Sequence, residues 1–343
     1  MAATANTVTV ANPGCTSCSI EPIAGCDGLM VVRRRLRTCC LATLFWAPAS
    51  VVLAHSDGVA PDPGDVWTAW SLDPFVVVPI AAGAALYGFG LYRAWSRAGV
   101  GRAVTNAQVA AVAGGTLALC ASLVWPLDAM GDSLFAAHMA QHIALMAVAA
   151  PLLVVGDPLP TLLRVLPRRW RRSTAAALRW RPGCSVRSWL SGPAVATLVQ
   201  TGIVLVWLAP AALSAALRND VVHAIMHASL FAAGLLFWTA VLRARRRGAG
   251  IVALLVATKL TVIIGALLTF APRALYPVYG KLGSAWGVTL LEDQQLGGLL
   301  MMIGGGMMYM VVALLILARW LVVDVLEPPS VASARASEPA RTA

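Results

Sequence analysis

The chain has 343 residues, of which 59% are hydrophobic and only 12% are charged, and its mean hydropathy is +0.76. This composition excludes an ordinary soluble domain and predicts an all-α, polytopic membrane helix bundle. The net charge of +11 comes mostly from arginines between apolar segments. Membrane topology explains such a charge pattern, so we expect no nucleic-acid partner.

The N-terminal part predicts a cleavable signal peptide at residues 30–54. Its arginines at 33–37 are followed by an apolar run and by small residues just before His55. Because Met30 stands directly before the basic stretch, translation starting at Met1 and translation starting at Met30 both stay open. Residues 1–29 are then a doubtful or disordered leader, and 55–72 form a short extracytoplasmic segment.

Seven further apolar segments are each long enough to cross about 30 Å of hydrocarbon. They lie at residues 74–94, 104–125, 133–155, 192–210, 220–242, 250–270 and 297–318. They form a seven-helix membrane domain over residues 73–322, with a disordered cytoplasmic tail at 323–343. For the third segment we expect Asp132 or Ser133 to cap the start of the helix.

The arginines between these segments predict the orientation of the chain in a bacterial plasma membrane. The connections after the first, third, fifth and seventh segments are rich in arginine, with eight between Arg164 and Arg187. The other connections carry only Arg218, Arg273 and Lys281. The positive-inside rule therefore puts the mature N-terminus outside and the C-terminus in the cytoplasm. A cleaved signal peptide requires the same orientation.

Four of the five histidines form two matching pairs, His138 with His142 and His223 with His227. The i,i+4 spacing puts both imidazoles of a pair on one helix face. Because both pairs lie near the start of an outside-to-inside span, we expect them at one depth in the outer leaflet. Ionisable groups at that depth are costly and usually functional, so the pairs predict a metal site. The alternative is that they only hydrogen-bond neighbouring helices.

Further donors occur at the same predicted level. Carboxylates orient metal-bound imidazoles in many proteins, and two acidic residues stand in the segment 291–295, just before the seventh span. Imidazole and thioether donors together favour copper, and the amine and ring of an N-terminal histidine chelate Cu(II). The second-shell or weaker candidates are Asp128, Glu292, Asp293, His55, Met139 and Met226.

Two features of the last spans have structural and functional readings. Lys259, about ten residues into the sixth span, is expensive there, and we expect it to pair with an acidic residue or to snorkel. The glycines at 304–306 predict close helix contact, and the methionines around them predict packing more than ligation.

A series of motifs follows one order over about residues 65–322. The motifs are Trp70-Ser-Leu-Asp-Pro74, Pro126-Leu-Asp128, Ala137-His-Met-Ala-Gln-His142, His223-Ala-Ile-Met-His227, Leu268-Thr-Phe270 and Leu291-Glu-Asp-Gln-Gln-Leu-Gly-Gly298. This order resembles the CtaG family, integral membrane proteins of bacteria implicated in assembly of caa3-type cytochrome c oxidase. An unrelated single-span copper chaperone shares the name, but this chain lacks its cysteine motif.

The resemblance implies a role in maturing cytochrome c oxidase, whose subunits would be the partners besides membrane lipid. Together with the histidine pairs it predicts an assembly factor that binds copper and exchanges ligands, rather than an enzyme. A periplasmic or extracellular copper donor is a further expected partner. The rival predictions are a transporter of copper or another cation, a haem-binding redox protein, and a scaffold whose histidines only tie helices together.

Overall fold

The structure, a computed structural model, describes residues 61–167, 169–173, 192–244, 246–280 and 282–326. These residues form helices and connecting loops, and no strand occurs among them. The predicted leader, signal peptide and tail, together with His55, lie outside the described residues.

Helices of 7 to 25 residues build the described part of the bundle. In chain order they are α1 (Pro74–Ala98), α2 (Asn106–Leu123), α3 (Leu127–Ser133), α4 (Phe135–Ile143), α5 (Ala150–Gly156), α6 (Leu159–Val165), α7 (Pro193–Leu208), α8 (Pro210–Arg218), α9 (Asp220–Leu242), α10 (Arg247–Thr269), α11 (Leu290–Leu300) and α12 (Gly306–Leu326). Two π-helical segments, Ala144–Ala149 and Met301–Gly305, continue α4 into α5 and α11 into α12. Two 3₁₀ turns, Pro277–Tyr279 and Leu282–Trp286, lie in the connection before α11.

Six helical runs of the described residues are long and apolar enough to cross a membrane, which indicates a multi-pass membrane protein. They are Pro74–Ala98, Asn106–Ser133, Phe135–Gly156, Asp220–Leu242, Arg247–Thr269 and Leu290–Val322. The helices α7 and α8 together make a seventh if counted as one span, but they are bent by 72° where Pro210 follows Ala209. Proline lacks an amide hydrogen and disfavours helix before it, which explains the break.

The seventh span starts earlier than the sequence analysis placed it. Thr289 and Glu292 form a capping box, each side chain accepting from the other's backbone amide, so α11 begins at Leu290. The prediction that residues 291–295 precede the span was therefore wrong. These polar residues lie on the first turns of the helix, which brings them into the bundle.

The cap expected for the third span also differs from the one observed. Ser133 donates its hydroxyl hydrogen to the carbonyl of Pro61, and Leu134 occupies the cap position of α4 without a side-chain bond of its own. The amides of Phe135 and Ala136 donate to Asp293 instead. The prediction of a local cap by Asp132 or Ser133 was wrong because a carboxylate from another helix satisfies these amides.

The spans that carry the histidines lie in the middle of the bundle. Buried residues make up 67% of the apolar window of Asp220–Leu242 and 61% of that of Phe135–Gly156, against 11% for α1. Trp238 on α9 donates its indole hydrogen to the carbonyl of Met146, 2.7 Å away, in the first π-helical segment. The two histidine-bearing spans are therefore held together deep in the core as well as at the histidines.

The two ends of the bundle differ in character. Arg243 forms an ion pair of 3.3 Å with Asp157, joining the connections that follow α5 and α9. At the opposite end, the ring of Phe135 stacks on Tyr276 with centroids 4.5 Å apart and meets Tyr279 edge-on. The histidines lie just below this aromatic end.

Candidate metal site

Helices α4 and α9 bring all four paired histidines into one group, which we call the histidine cluster. Between the helices, the ring centroids of His138 and His223 are 5.5 Å apart, and those of His142 and His227 are also 5.5 Å apart. Within each helix, the two rings of a pair are 4.4 to 4.5 Å apart. The matching spacings show that the two pairs face each other at one level.

Three of the four rings offer converging donor atoms. One ring nitrogen from each of His138, His223 and His227 lies within 4.8 Å of the other two. His142 adjoins this set, with its ring centroid 4.5 Å from that of His138. Three nitrogen donors with an adjoining fourth is the ligand type and number found in copper and zinc sites.

The imidazoles are buried and have few hydrogen-bond partners among the described residues. His138 is fully buried, and within the described part of the chain neither of its ring nitrogens has a hydrogen-bond partner. The Nε2 atoms of His142 and His227 are likewise buried without a partner among these residues. An unsatisfied buried polar group costs about 1–3 kcal/mol. Most buried polar groups in proteins have a hydrogen-bond partner and avoid this cost. Several unsatisfied imidazole nitrogens in one place therefore indicate a ligand-binding site.

Asp128 lies beside the cluster but is bound to a glutamine. The Nε2 of Gln141 donates to Asp128 Oδ1 at 2.8 Å and to the carbonyl of Ser122 at 2.7 Å. Gln141 stands directly before His142 on α4 and is 1% exposed. The pair therefore fixes the rotation of α4, and with it the direction of the histidines. Gln141 was not predicted to have a role, although an amide side chain inside an apolar span was a signal that could have pointed to it.

Asp293 and Glu292 occupy different environments although they are neighbours. Asp293 is 1% exposed and accepts hydrogen bonds of 2.7 and 2.9 Å from the first two amides of α4. Glu292 is exposed and accepts from the amide of Thr289 at the start of α11. Asp293 thus positions the helix of His138, while Glu292 starts its own helix. A role for these carboxylates or Asp128 around a bound metal stays a prediction.

Two tyrosines close the aromatic end above the cluster. Tyr276 donates its hydroxyl hydrogen to the carbonyl of Leu208, and burial raises its pKa to about 12. Burial, followed by the charge of Asp293, raises the pKa of Tyr279 well above its ordinary value. Both phenols therefore stay neutral at physiological pH. The sequence analysis did not single them out, and nothing in their spacing marks them.

The other residues that the sequence singled out differ in burial. Met139 and Met226 are buried in the same core as Phe135, with exposures of 2% and 0%. Lys259 lies on the exposed face of α10, between the exposed Val256 and Ile263. Within the described part of the chain, Lys259 forms no ion pair with an acidic residue, so the expected acidic partner is not found there.

Gly265 and Gly298 allow a closer contact between helices than the glycines at 304–306 do. A Cβ on Gly265 would come within 2.6 Å of the carbonyl oxygen of Gly298, and the reverse contact would be 2.7 Å. At Gly304 the nearest atom is 4.0 Å away, but a Cβ on Gly305 or Gly306 would come within 3.1 or 2.9 Å of a side chain of α10. The predicted close helix contact is therefore confirmed at Gly305 and Gly306. The close approach of backbone to backbone occurs between α10 and α11, at Gly265 and Gly298.

The fold and the cluster define a class: a multi-pass helical membrane protein with potential metal ligands buried between two central spans. A family model described as cytochrome c oxidase caa3 assembly factor (Caa3_CtaG) matches residues 85–322. The chain belongs to this family, which confirms the resemblance seen in the motifs. Neither the curated proteins nor the solved structures gave a match to the chain.

Proposed function

We propose that this protein assists the assembly of cytochrome c oxidase by binding copper in the histidine cluster and passing it to an oxidase subunit within the bilayer. The observation that carries the proposal is the convergence of ring nitrogens from His138, His223 and His227 to within 4.8 Å of one another. Membership of the family of caa3 oxidase assembly factors supplies the partner. Copper is the cargo here, and no catalysis is involved.

The donor set suits copper better than a hard cation. Neutral imidazoles bind copper and zinc, whereas magnesium and calcium prefer oxygen donors. The cluster lies beside the buried Met139 and Met226, whose thioethers favour Cu(I). Asp293 fixes the start of α4, and Gln141 fixes its rotation, so the imidazoles are held ready before the ion arrives. Release then needs only ligand exchange with a partner's donors.

We further propose that the cluster lies in the outer leaflet of a bacterial plasma membrane, after cleavage of a signal peptide. The arginine-rich connections joined by Arg243 and Asp157 would face the cytoplasm. The aromatic end with Phe135 and Tyr276 would face outward, within reach of an extracytoplasmic copper donor. Alkaline phosphatase, which is active only outside the cytoplasm, tests this orientation. Fusions at Gly280 should be active and fusions at Arg172 inactive, and the opposite pattern would reverse the topology.

The central experiment is the copper content of the purified protein. After loading under reducing conditions, wild type should hold copper, and a variant with both His138 and His223 replaced by alanine should lose the ion of the histidine cluster. Replacing the exposed Met307 with leucine is the control and should change nothing. If the wild-type protein contains no copper after loading, the proposal that it binds copper is wrong.

Two further measurements separate the rival functions. A Soret absorption band in the purified protein would point to haem, and copper uptake into proteoliposomes would point to transport.

Cells lacking this protein should show reduced oxidase activity that added copper partly restores. Normal oxidase activity in such cells at low copper would remove the assembly role.

A further inference from the structure

A cavity of about 40 Å³ opens beside the histidine cluster in the interior of the bundle. We call it the methionine cavity, after the residues that matter for its chemistry. These are Met139, His142, Met146, Gln200 and Met301. A buried water needs a cavity of about 10–15 Å³, so the cavity suits a few waters or one ion.

His142 belongs to both the cluster and the cavity. Its ring contacts those of His138 and His227, yet it is not among the three rings whose donor atoms converge most closely. It also lines the cavity, and its buried Nε2 has no hydrogen-bond partner within the described ranges. The imidazole of His142 therefore stands between two groups of donors.

Three thioethers line the same space. Met139, His142 and Met146 are spaced i, i+3 and i+7 along one continuous helical run, so they follow one another down a single face. Met301 lines the cavity from the seventh span, and all three methionines are at most 7% exposed. Methionines that serve only packing fill the gaps in a core, whereas these three line a cavity.

The far side of the cavity offers an unsatisfied oxygen. The Nε2 of Gln200 donates to the hydroxyl of Tyr309 at 2.7 Å, which orients the amide. Its Oε1 is buried and lacks a hydrogen-bond partner among the residues that the structure describes. Leaving such an oxygen bare costs about 1–3 kcal/mol unless something binds it.

Both π-helical segments of the described chain contribute to the walls. Met146 comes from the segment Ala144–Ala149, and Met301 and Gly305 come from Met301–Gly305. π-Helical turns are rare and occur frequently at functional sites. Because both segments line one cavity, the geometry points to the cavity as a second site.

We propose that the methionine cavity is a second, sulfur-containing Cu(I) site, distinct from the converging nitrogens of His138, His223 and His227 and linked to them by His142. This inference rests on the proposed function, since the cluster supplies the ion. Transfer is ligand exchange: bonds from copper to imidazole nitrogens break as bonds to thioether sulfurs form. The ion stays Cu(I), so neither an oxidant nor a reductant is needed.

The test counts ions and identifies their neighbours in the full chain. The protein in nanodiscs is loaded with Cu(I) without oxygen, titrated with a chromogenic Cu(I) chelator, and studied by X-ray absorption at the copper edge. We expect two ions per wild-type chain and sulfur among the copper neighbours. Replacing Met146 and Met301 together with leucine should leave one ion and weaken the sulfur signal.

The matched control replaces Met307 and Met310, which are exposed on α12, with leucine. It should keep two ions and the sulfur signal, because it removes two methionines but none from the cavity. One ion per wild-type chain with nitrogen neighbours only would overturn the second site and leave the histidine site standing. No copper in wild type would overturn both. The number of copper ions per wild-type chain tests the second site even if the double variant does not fold.

Discussion

Asp293 is buried where α11 meets the start of α4, and both of its carboxylate oxygens accept backbone hydrogen bonds. A helix N-terminus carries unsatisfied amides and a partial positive charge, so a carboxylate stabilises it strongly. The helix that Asp293 caps carries His138 one turn further on. One side chain thus connects the seventh span to the candidate metal site.

Replacing Asp293 with alanine should lower the free energy of unfolding by about 3 kcal/mol, because two charge-assisted bonds are lost and two amides are left bare. Thermal unfolding in detergent measures the loss. Glu292→Ala is the matched control, since it removes a neighbouring carboxylate that is exposed and caps only its own helix. It should have a much smaller effect. Equal losses in the two variants would show that the bonds of Asp293 to α4 contribute little.

At the scale of helices, Gly265 and Gly298 set the distance between α10 and α11. A side chain at either position would collide with backbone atoms of the other helix at 2.6 to 2.7 Å. Backbone atoms cannot turn aside as side chains do, so the helices themselves would have to separate. Small residues permit such contact in many membrane helix pairs.

Gly298→Ala should therefore destabilise the protein by about 1–3 kcal/mol, the usual cost of overpacking. The comparison is Gly83→Ala on α1, where no atom lies within 4 Å of the added carbon. There, alanine should be neutral or slightly stabilising, because it favours helix over glycine. Unfolding in bicelles distinguishes the two, and a neutral Gly298→Ala would contradict the close contact.

Lys259 lies near the middle of α10 on its exposed face, and this position leads to a prediction about the insertion of α10 into the membrane. At about 1.5 Å per residue, both ends of α10 are roughly 15 Å away or more, which exceeds the reach of a lysine. Lys259→Leu should make insertion of this span more favourable by about 3 kcal/mol. A translocon insertion assay measures the change, with Lys259→Arg as the control expected to behave like wild type. An unchanged insertion energy for leucine would place Lys259 away from the bilayer centre.

For the whole molecule, the apolar runs and histidine spacing predicted the spans and the meeting of the two pairs. Spans three and five start and end within two residues of the predicted positions, because long apolar segments have no alternative to helix in lipid. The capping by Asp293 was not predictable, since its partners stand 158 and 157 residues earlier in the chain. The π-helical segments lack a sequence signal as well. The first of them lies against α9, where Trp238 donates to the carbonyl of Met146 from 92 residues further along the chain.

Copper binding at the histidine cluster, as proposed, would link the stability of the whole bundle to the metal. His138 belongs to the third span and His227 to the fifth, so an ion bound to both joins the two most buried spans. A ligand that binds only the folded state stabilises it by about 2.7 kcal/mol at a hundred times its dissociation constant. Cu(I) should therefore raise the unfolding temperature of wild type by several degrees.

The His138→Ala variant should lose most of this stabilisation, although without copper it should be no less stable than wild type. The reason is that alanine removes two buried nitrogens that lack partners within the described residues, and their desolvation cost disappears with them. Cys120→Ala, which removes a half-buried thiol from the second span, is the control and should respond to copper as wild type does. The same copper-induced shift in His138→Ala and wild type would mean that the ion binds elsewhere. A copper-free His138→Ala that is clearly less stable than wild type would mean that the imidazole serves the packing of α4 and α9, which is the role a purely structural histidine would have.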